Sequence, residues 1–402
     1  MKQIAMICLL PLLVACHSSR SYDGTLLEAD LRMAIDNPSL LSLEDEVESA
    51  EYVLLETTED PASLVDGVAG YAVTSRYIYL YPVKEQRIVL FDRQGHFLRT
   101  LVPFGQGPGE FSDMLADIQV DEAGDRLYLS GVAGTWEYTL EGTFVQKTEH
   151  PCQAIFRRKL ADECWGAIAF PYLPFSQGSF GLGIFTQQGD TVVVKNDFSS
   201  PLVPADKAGF TVRMAASYSS WDNSILMKSG ANDTVFRMKG RQILPACILR
   251  LENSDKEMEY SLDATNFYSL RDLGAYRDIV VSDLFETPRR YYFRCRYKDG
   301  HTVVSLDKQT GEVLTESCRQ PADLHALSDA NLLLGMLGTR SVMGFPLWGR
   351  MEGDCLVQVI TPYELSLYAE QPEVTVPEAL LSLSEDANPV FVFYKLRDAD
   401  KK

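Results

Sequence analysis

An all-β chain folded as a six-bladed propeller is what this sequence predicts, and three observations carry the prediction. A short strand-to-glycine turn recurs five times, at Gly95, Gly142, Gly189, Gly240 and Gly311. The first four glycines are separated by 47, 47 and 51 residues, the period of a four-stranded blade. Two strong strands, at residues 52–55 and 390–396, have no partner nearby in sequence. A ring in which the first completes the last blade removes both open edges. Five hairpin copies and one composite blade make six.

Residues 1–15 read as an export signal: Lys2 is followed by an apolar run from Ile4 to Ala15 that is short for a membrane span. Leu13, Val14, Ala15 and Cys16 resemble a bacterial lipobox, in which cleavage leaves an acylated Cys16 as the first mature residue. Each buried CH₂ of such chains adds about 0.8 kcal/mol of bilayer attachment. Residues 16–50 are then the lipidated terminus and a tether. Within it Leu26, Leu27, Leu31, Ala34 and Ile35 share one side of a short helix that ends near Asn37 and Pro38.

The propeller is expected over 51–397, followed by a charged tail at 398–402. Blade one covers 64–102, with 76–81 and 87–91 as its middle strands, and blade two, 112–148, repeats it closely. Arg76 and Arg126 stand 50 residues apart and mark the same strand in each. Blades three, four and five fall at about 152–196, 211–250 and 280–318. The 71-residue step from Gly240 to Gly311 requires an insertion, placed at about 254–275, where Leu262, Phe267, Leu270 and Leu273 have roughly helical spacing. Residues 322–345 have no secure place, and blade six runs from about Trp348 to Leu396.

Residues 87–95, the loop 105–111, residues 117–121 and the run 126–129 resemble the NHL-type blade. As a whole the chain resembles the six-bladed β-propeller lipoproteins of Gram-negative bacteria, an NHL/TolB-like group. Residues 52–58, 232–236 and 388–394, with Phe285 and Glu286, carry further matches. The resemblance implies a propeller on a lipid tether and, for most of the group, no established activity.

With 46% hydrophobic and 10% aromatic residues the chain can fill a large core, and its formal charge is −19. Such a surface repels nucleic acid and anionic headgroups, so any bilayer attachment must come from lipid on Cys16. The loop holding Gly105, Gly107, Gly109 and Glu110 is the candidate ligand loop, because glycines can bring backbone N–H groups up to a phosphate. It lacks the Lys and Ser/Thr of a P-loop, and a strand rather than a helix follows it. A rigid crossover between blades, with Glu110 accepting backbone hydrogen bonds, is the favoured reading.

The five histidines (His17, His96, His150, His301 and His325) form no ligand pair at helical or hairpin spacing. Of the mature cysteines, Cys152 and Cys164 are close enough in sequence to face each other across one hairpin, while Cys295 and Cys318 fall on nonadjacent strands. None of Cys152, Cys164, Cys247, Cys295, Cys318 and Cys355 has an adjacent histidine that would suggest a nucleophile, and no Gly-x-Ser-x-Gly elbow is present. No cofactor or metal site is assigned. The reading is a noncatalytic module that binds an envelope protein or glycan on the periplasmic side of the outer membrane. The alternative is a metal-dependent hydrolase or lyase with its site in the central channel.

Overall fold

The computed structural model describes residues 26–397 except 40, 42–45, 83, 133, 151, 153, 170–179, 197–215, 230–232, 252–278, 298–299, 319–349, 370–377 and 385. The chain enters through β1 (Glu28–Asp30), α1 (Leu31–Asp36) and β2 (Val47–Leu54). Blade one is β3 to β6 (Val68–Val73, Tyr77–Pro82, Arg87–Asp92, Phe97–Pro103). Blade two is β7 to β10 (Leu115–Asp121, Arg126–Gly131, Gly134–Tyr138, Phe144–Glu149), and blade three is β11 to β14 (Ala154–Lys159, Cys164–Ala169, Phe180–Thr186, Thr191–Asn196). Blade four is β15 to β18 (Ala216–Trp221, Ser224–Ser229, Thr234–Lys239, Gln242–Arg250), and blade five is β19 to β22 (Ile279–Glu286, Arg290–Tyr297, Gly300–Asp307, Val313–Cys318). Blade six is β23 (Arg350–Glu352), β24 (Cys355–Ile360) and β25 (Val390–Leu396), completed by β2. Together the six small sheets form the predicted six-bladed ring.

Closure follows from the pairing of the chain's two ends. β2 lies antiparallel to β25, from Leu54 opposite Val390 to Val47 opposite Leu396. Asn388 fixes the seam to blade one: its side-chain amide donates to the carbonyls of Glu56 and Ser63, and its side-chain oxygen accepts from the Val65 N–H at 2.7 Å. Middle strands are mostly apolar because both of their faces are covered. Ile88 to Phe91 are all buried, and a fully buried Phe91 contributes about 1.5–3 kcal/mol. Outermost strands such as β10 are mostly exposed and accordingly polar.

The recurrent turn glycine has two reasons to be glycine. Gly95 has φ +90° and Gly142 φ +86°, a region that a side chain disfavours. Each also packs beneath the outer strand of the preceding blade. A Cβ at Gly95 would collide with the Leu54 carbonyl oxygen, and one at Gly142 would lie 2.8 Å from Leu101 Cδ1. Spacing alone shows the turn; only the ring shows the seam.

The segment expected as a tether is fastened from residue 27 onward. β1 extends blade four in parallel with β18, and Ala29 and Leu31 are fully buried. Asp30 caps α1 by accepting the Met33 N–H at 2.9 Å, and the helix ends at Asn37, as its pattern predicts. Leu27, Ala34 and Ile35 pack on the core between blades four and five. Thr315 donates its N–H to Ser39 and its hydroxyl to Ala34, so the strap crosses blade five before becoming β2. The insertion placed at 254–275 and the segment 322–345 lie outside the described residues.

Blade six carries what the sequence reading did not foresee, α2 (Pro362–Ala369) and α3 (Glu378–Leu381) between β24 and β25. Thr361 and Glu364 cap the first of these reciprocally. Cys152 and Cys164 do not face each other across their hairpin. In the β11–β12 register Lys159 faces Trp165 beside the turn while Ala154 faces Ala169, so the two thiols lie at opposite ends of the hairpin and both are free.

Because strands alternate in direction, the ring has two different ends. One, the turn end, carries the first-to-second and third-to-fourth turns of the blades, each two to five residues long. The other, the crossover end, carries the second-to-third connections and the crossovers between blades. Seven of those connections have ten residues or more, and the longest spans 319–349.

Candidate functional site

The first strands of the blades, β3, β7, β11, β15, β19 and β23, line the centre of the ring, where β3 meets β7, β7 meets β11, β15 meets β19 and β19 meets β23. On strands otherwise rich in apolar residues they present a few charges, which are the candidates for function. Asp117 on β7 is held from two sides: Arg158 Nη1 of blade three lies 3.1 Å from its Oδ2, and Arg350 Nη1 of blade six lies 3.5 Å from its Oδ1. Arg350 also donates to the carbonyls of Tyr71 on β3 and Ile118 on β7, both at 3.2 Å. Its Nε lies 2.7 Å from Glu352 Oε1. One guanidinium thus joins blades six, one and two across the axis.

Burial sets the electrostatics of this cluster. It pushes the Glu352 carboxyl above its ordinary range against the pull of Arg350 and Arg158, and it lowers Arg158 against the pull of Asp117. Two guanidiniums and two carboxylates balance one another, and the chemistry available to them is ion pairing and orientation. A fifth charge, Asp283, follows a bulge in β19, a feature that re-aims a side chain. Its Oδ1 accepts the Leu284 N–H at 2.8 Å, and burial pushes its carboxyl up to about 7 despite that bond and the charge of Arg294. Asp283 therefore titrates in the neutral range.

A second polar cluster sits at the turn end between blades four and five. Glu286, only 1% exposed, receives both arms of Arg237 at 2.7 and 2.6 Å and also pairs with Lys308. The Lys308 ammonium lies 5.0 Å from the Trp221 ring centre and 4.6 Å from that of Tyr291. Every charge is consumed within the seam. This is a clamp between blades.

The candidate loop joins β6 to β7. Glu110 Oε2 accepts the Gly107 N–H at 2.8 Å, and the Glu110 carboxylate fills the space that a Cβ at Gly105 or Gly107 would need. Gly109, with φ +79°, lies against Phe144, and Phe111 is fully buried with its ring 4.7 Å from that of Trp136. The loop's own carboxylate is the partner of its glycine backbone, which is the geometry of a rigid crossover. Cys16 precedes the described residues.

Of the histidines, His96 is exposed beside Asp92, whose carboxylate raises its pKa. His150 is enclosed. It meets the Thr135 hydroxyl at 2.9 Å and the Trp165 ring edge, and burial next to Arg157 pushes it down to about 3, so it is neutral. Among the described residues no three His, Cys, Asp or Glu side chains converge to hold a metal. Trp221 belongs to the Lys308 clamp.

Fold and site together define a six-bladed propeller whose channel is crossed by ion pairs and whose long connections leave the strands at one end. A family model described as a domain of unknown function, DUF4934, matches residues 26–395, and the chain belongs to that family. Among curated proteins none matches. A solved Bacteroides fragilis protein whose name assigns it, provisionally, to export is similar in fold. Its TM-score is 0.63 at 16% identity, over 93% of this chain and 100% of that one. A DUF4221 family member from Bacteroides vulgatus is similar at TM-score 0.51 and 11% identity, over 88% of this chain and 98% of that one. At these identities the likeness concerns the fold.

Proposed function

We propose that this chain is a lipid-anchored, noncatalytic binding module of the cell envelope that presents the crossover end of its propeller to a protein or glycan. The observation that carries the reading is the asymmetry of the ring: one end consists of turns of two to five residues, and the other bears all seven long connections. Loops of varied length on a rigid scaffold are the usual carriers of recognition, and the channel cluster has its charges mutually paired. The alternative metal-dependent hydrolase or lyase finds no support among the described residues.

The anchor in this reading is acylated Cys16, as in NHL-like envelope lipoproteins, on the periplasmic side of the outer membrane. The lipobox-like residues 13–16 support it, and so does the provisional export assignment of a protein with the same fold. No helix among the described residues is long and apolar enough to cross a membrane. Two experiments test the proposal. Labelled palmitate should enter the wild type and not Cys16→Ser, which should leave the membrane fraction. Gentle crosslinking of the native protein, with metal analysis of the purified product, should give a stoichiometric partner without metal. Stoichiometric metal and no partner would favour the enzyme instead.

A further inference from the structure

The strap fixes where the chain leaves the body of the propeller. Its first fastened residue is Leu27: the Ile248 N–H donates to the Leu27 carbonyl at 2.8 Å, and Leu27 Cδ2 lies 3.6 Å from where a Cβ at Gly311 would stand. With β1 as the outermost strand of blade four, Leu27 stands on the outer wall of the ring beside the blade five turn. The residues after it hold it there. Ala29 and Leu31 are fully buried, and the Arg32 guanidinium lies 4.8 Å from the centre of the Tyr297 ring of blade five. Leu41 is buried in the core between blades five and six.

From Cys16 to Leu27 the chain takes eleven steps, which span at most about 40 Å in any conformation and about 20 Å as a flexible coil. A folded body of this chain length has a radius of gyration of about 20 Å and is about 50 Å across. Blades one and two stand opposite blades four and five in the ring, so an anchor on Cys16 cannot bring that far rim against a bilayer. A coil this short, fastened to the outer wall, draws the wall in. Charge permits the approach. Strap residues 27–37 and the outer strands 234–250 and 300–318 carry six basic and six acidic side chains, a local balance in a chain of formal charge −19. The outer strands of blades one and two, 87–103 and 134–149, are balanced as well, with four of each. Anionic headgroups therefore repel neither wall, and the length of the tether decides between them.

We infer that the outer wall of blades four and five is the membrane-facing surface of the propeller, turned to a lipid bilayer by the docked strap. The inference rests on the Cys16 anchor and adds an orientation to it. The ring axis lies along the membrane plane, and the crossover end stays open to a partner.

The test uses the full-length acylated protein in vesicles of phosphatidylethanolamine and phosphatidylglycerol that carry an energy-transfer acceptor on their headgroups. A fluorescent amino acid replaces Met33 or Gln242 on the wall, or Leu98 or Val145 on the opposite rim, all four exposed. Transfer from Met33 and Gln242 should exceed that from Leu98 and Val145 about fivefold. Inserting about twenty Gly/Ser residues after Arg20 lengthens the coil to about 30 Å and should shrink the difference to less than about twofold. Equal transfer from all four positions, greater transfer from Leu98 and Val145, or a difference that the insertion leaves unchanged would overturn the inference and leave the anchor standing. A chain that carries no lipid and does not join the vesicles would overturn both.

Discussion

At one end of this ring eleven turns join neighbouring strands with two to five residues each; at the other, connections of up to 31 residues leave the same strands. The turn end also holds the glycines wedged under neighbouring blades and the Glu286 clamp. The difference shows where stability and recognition were separated. Short turns leave little conformational freedom to lose on folding and can be packed into the seams. Long connections cost more to order but can vary without disturbing the blades.

The largest expected effect comes from the clamp. Glu286→Ala leaves Arg237 and Lys308 without their shared carboxylate, and urea unfolding should show a loss of about 3–5 kcal/mol. A change below 1 kcal/mol would mean that the blade four and five seam is held by its apolar core alone. Next come the seam glycines. Gly95→Ala places a Cβ against the Leu54 carbonyl at positive φ and should cost about 1–3 kcal/mol. Gly353 has φ +61° with nothing within 4 Å of its would-be Cβ, so Gly353→Asn should cost less than about 1 kcal/mol. Equal losses at both positions would assign the glycine requirement to the turn and remove the seam argument.

Asp283 makes the channel sensitive to pH. Its folded pKa, about 7, lies above the ordinary carboxylate value of 3.8, so the folded state holds the proton more tightly. Its stabilising share is complete below about pH 4 and is lost as pH rises through 7. Asp283→Asn should therefore gain stability relative to wild type as pH rises from 4 to 8, and parallel unfolding curves at both pH values would contradict the assignment. The smallest effect belongs to the crossover end. Leu64→Ser, Met114→Ser, Tyr363→Ser and Leu381→Ser should each change the unfolding midpoint by an amount worth about 0.5 kcal/mol or less. A loss of several kcal/mol would show that these side chains serve the core.

Much of the scaffold is legible in the sequence because blades are local objects. Gly95, Gly142, Gly189, Gly240 and Gly311 each mark a hairpin of adjacent strands, and all five have positive φ. The composite blade is legible for a different reason: residues 390–396 form a strong strand with no neighbour to pair with. The capping box at Thr361 and Glu364, with Pro362 between them, was a readable signal for α2. The channel cluster could not be read this way. Asp117, Arg158 and Arg350 meet only because the ring brings blades two, three and six to one axis, across sequence separations of 41 and 233 residues. Single charges on inward strands are the only trace they leave.

A substitution scan of the full-length, membrane-anchored protein, scored by abundance, tests the separation of the two ends most directly. The account predicts that abundance collapses for replacements at Gly95, Gly142 and Glu286 and stays near wild type for replacements at Leu64, Met114, Tyr363 and Leu381. Comparable collapse at both ends, or tolerance at the turn end with collapse at the crossover end, would contradict it.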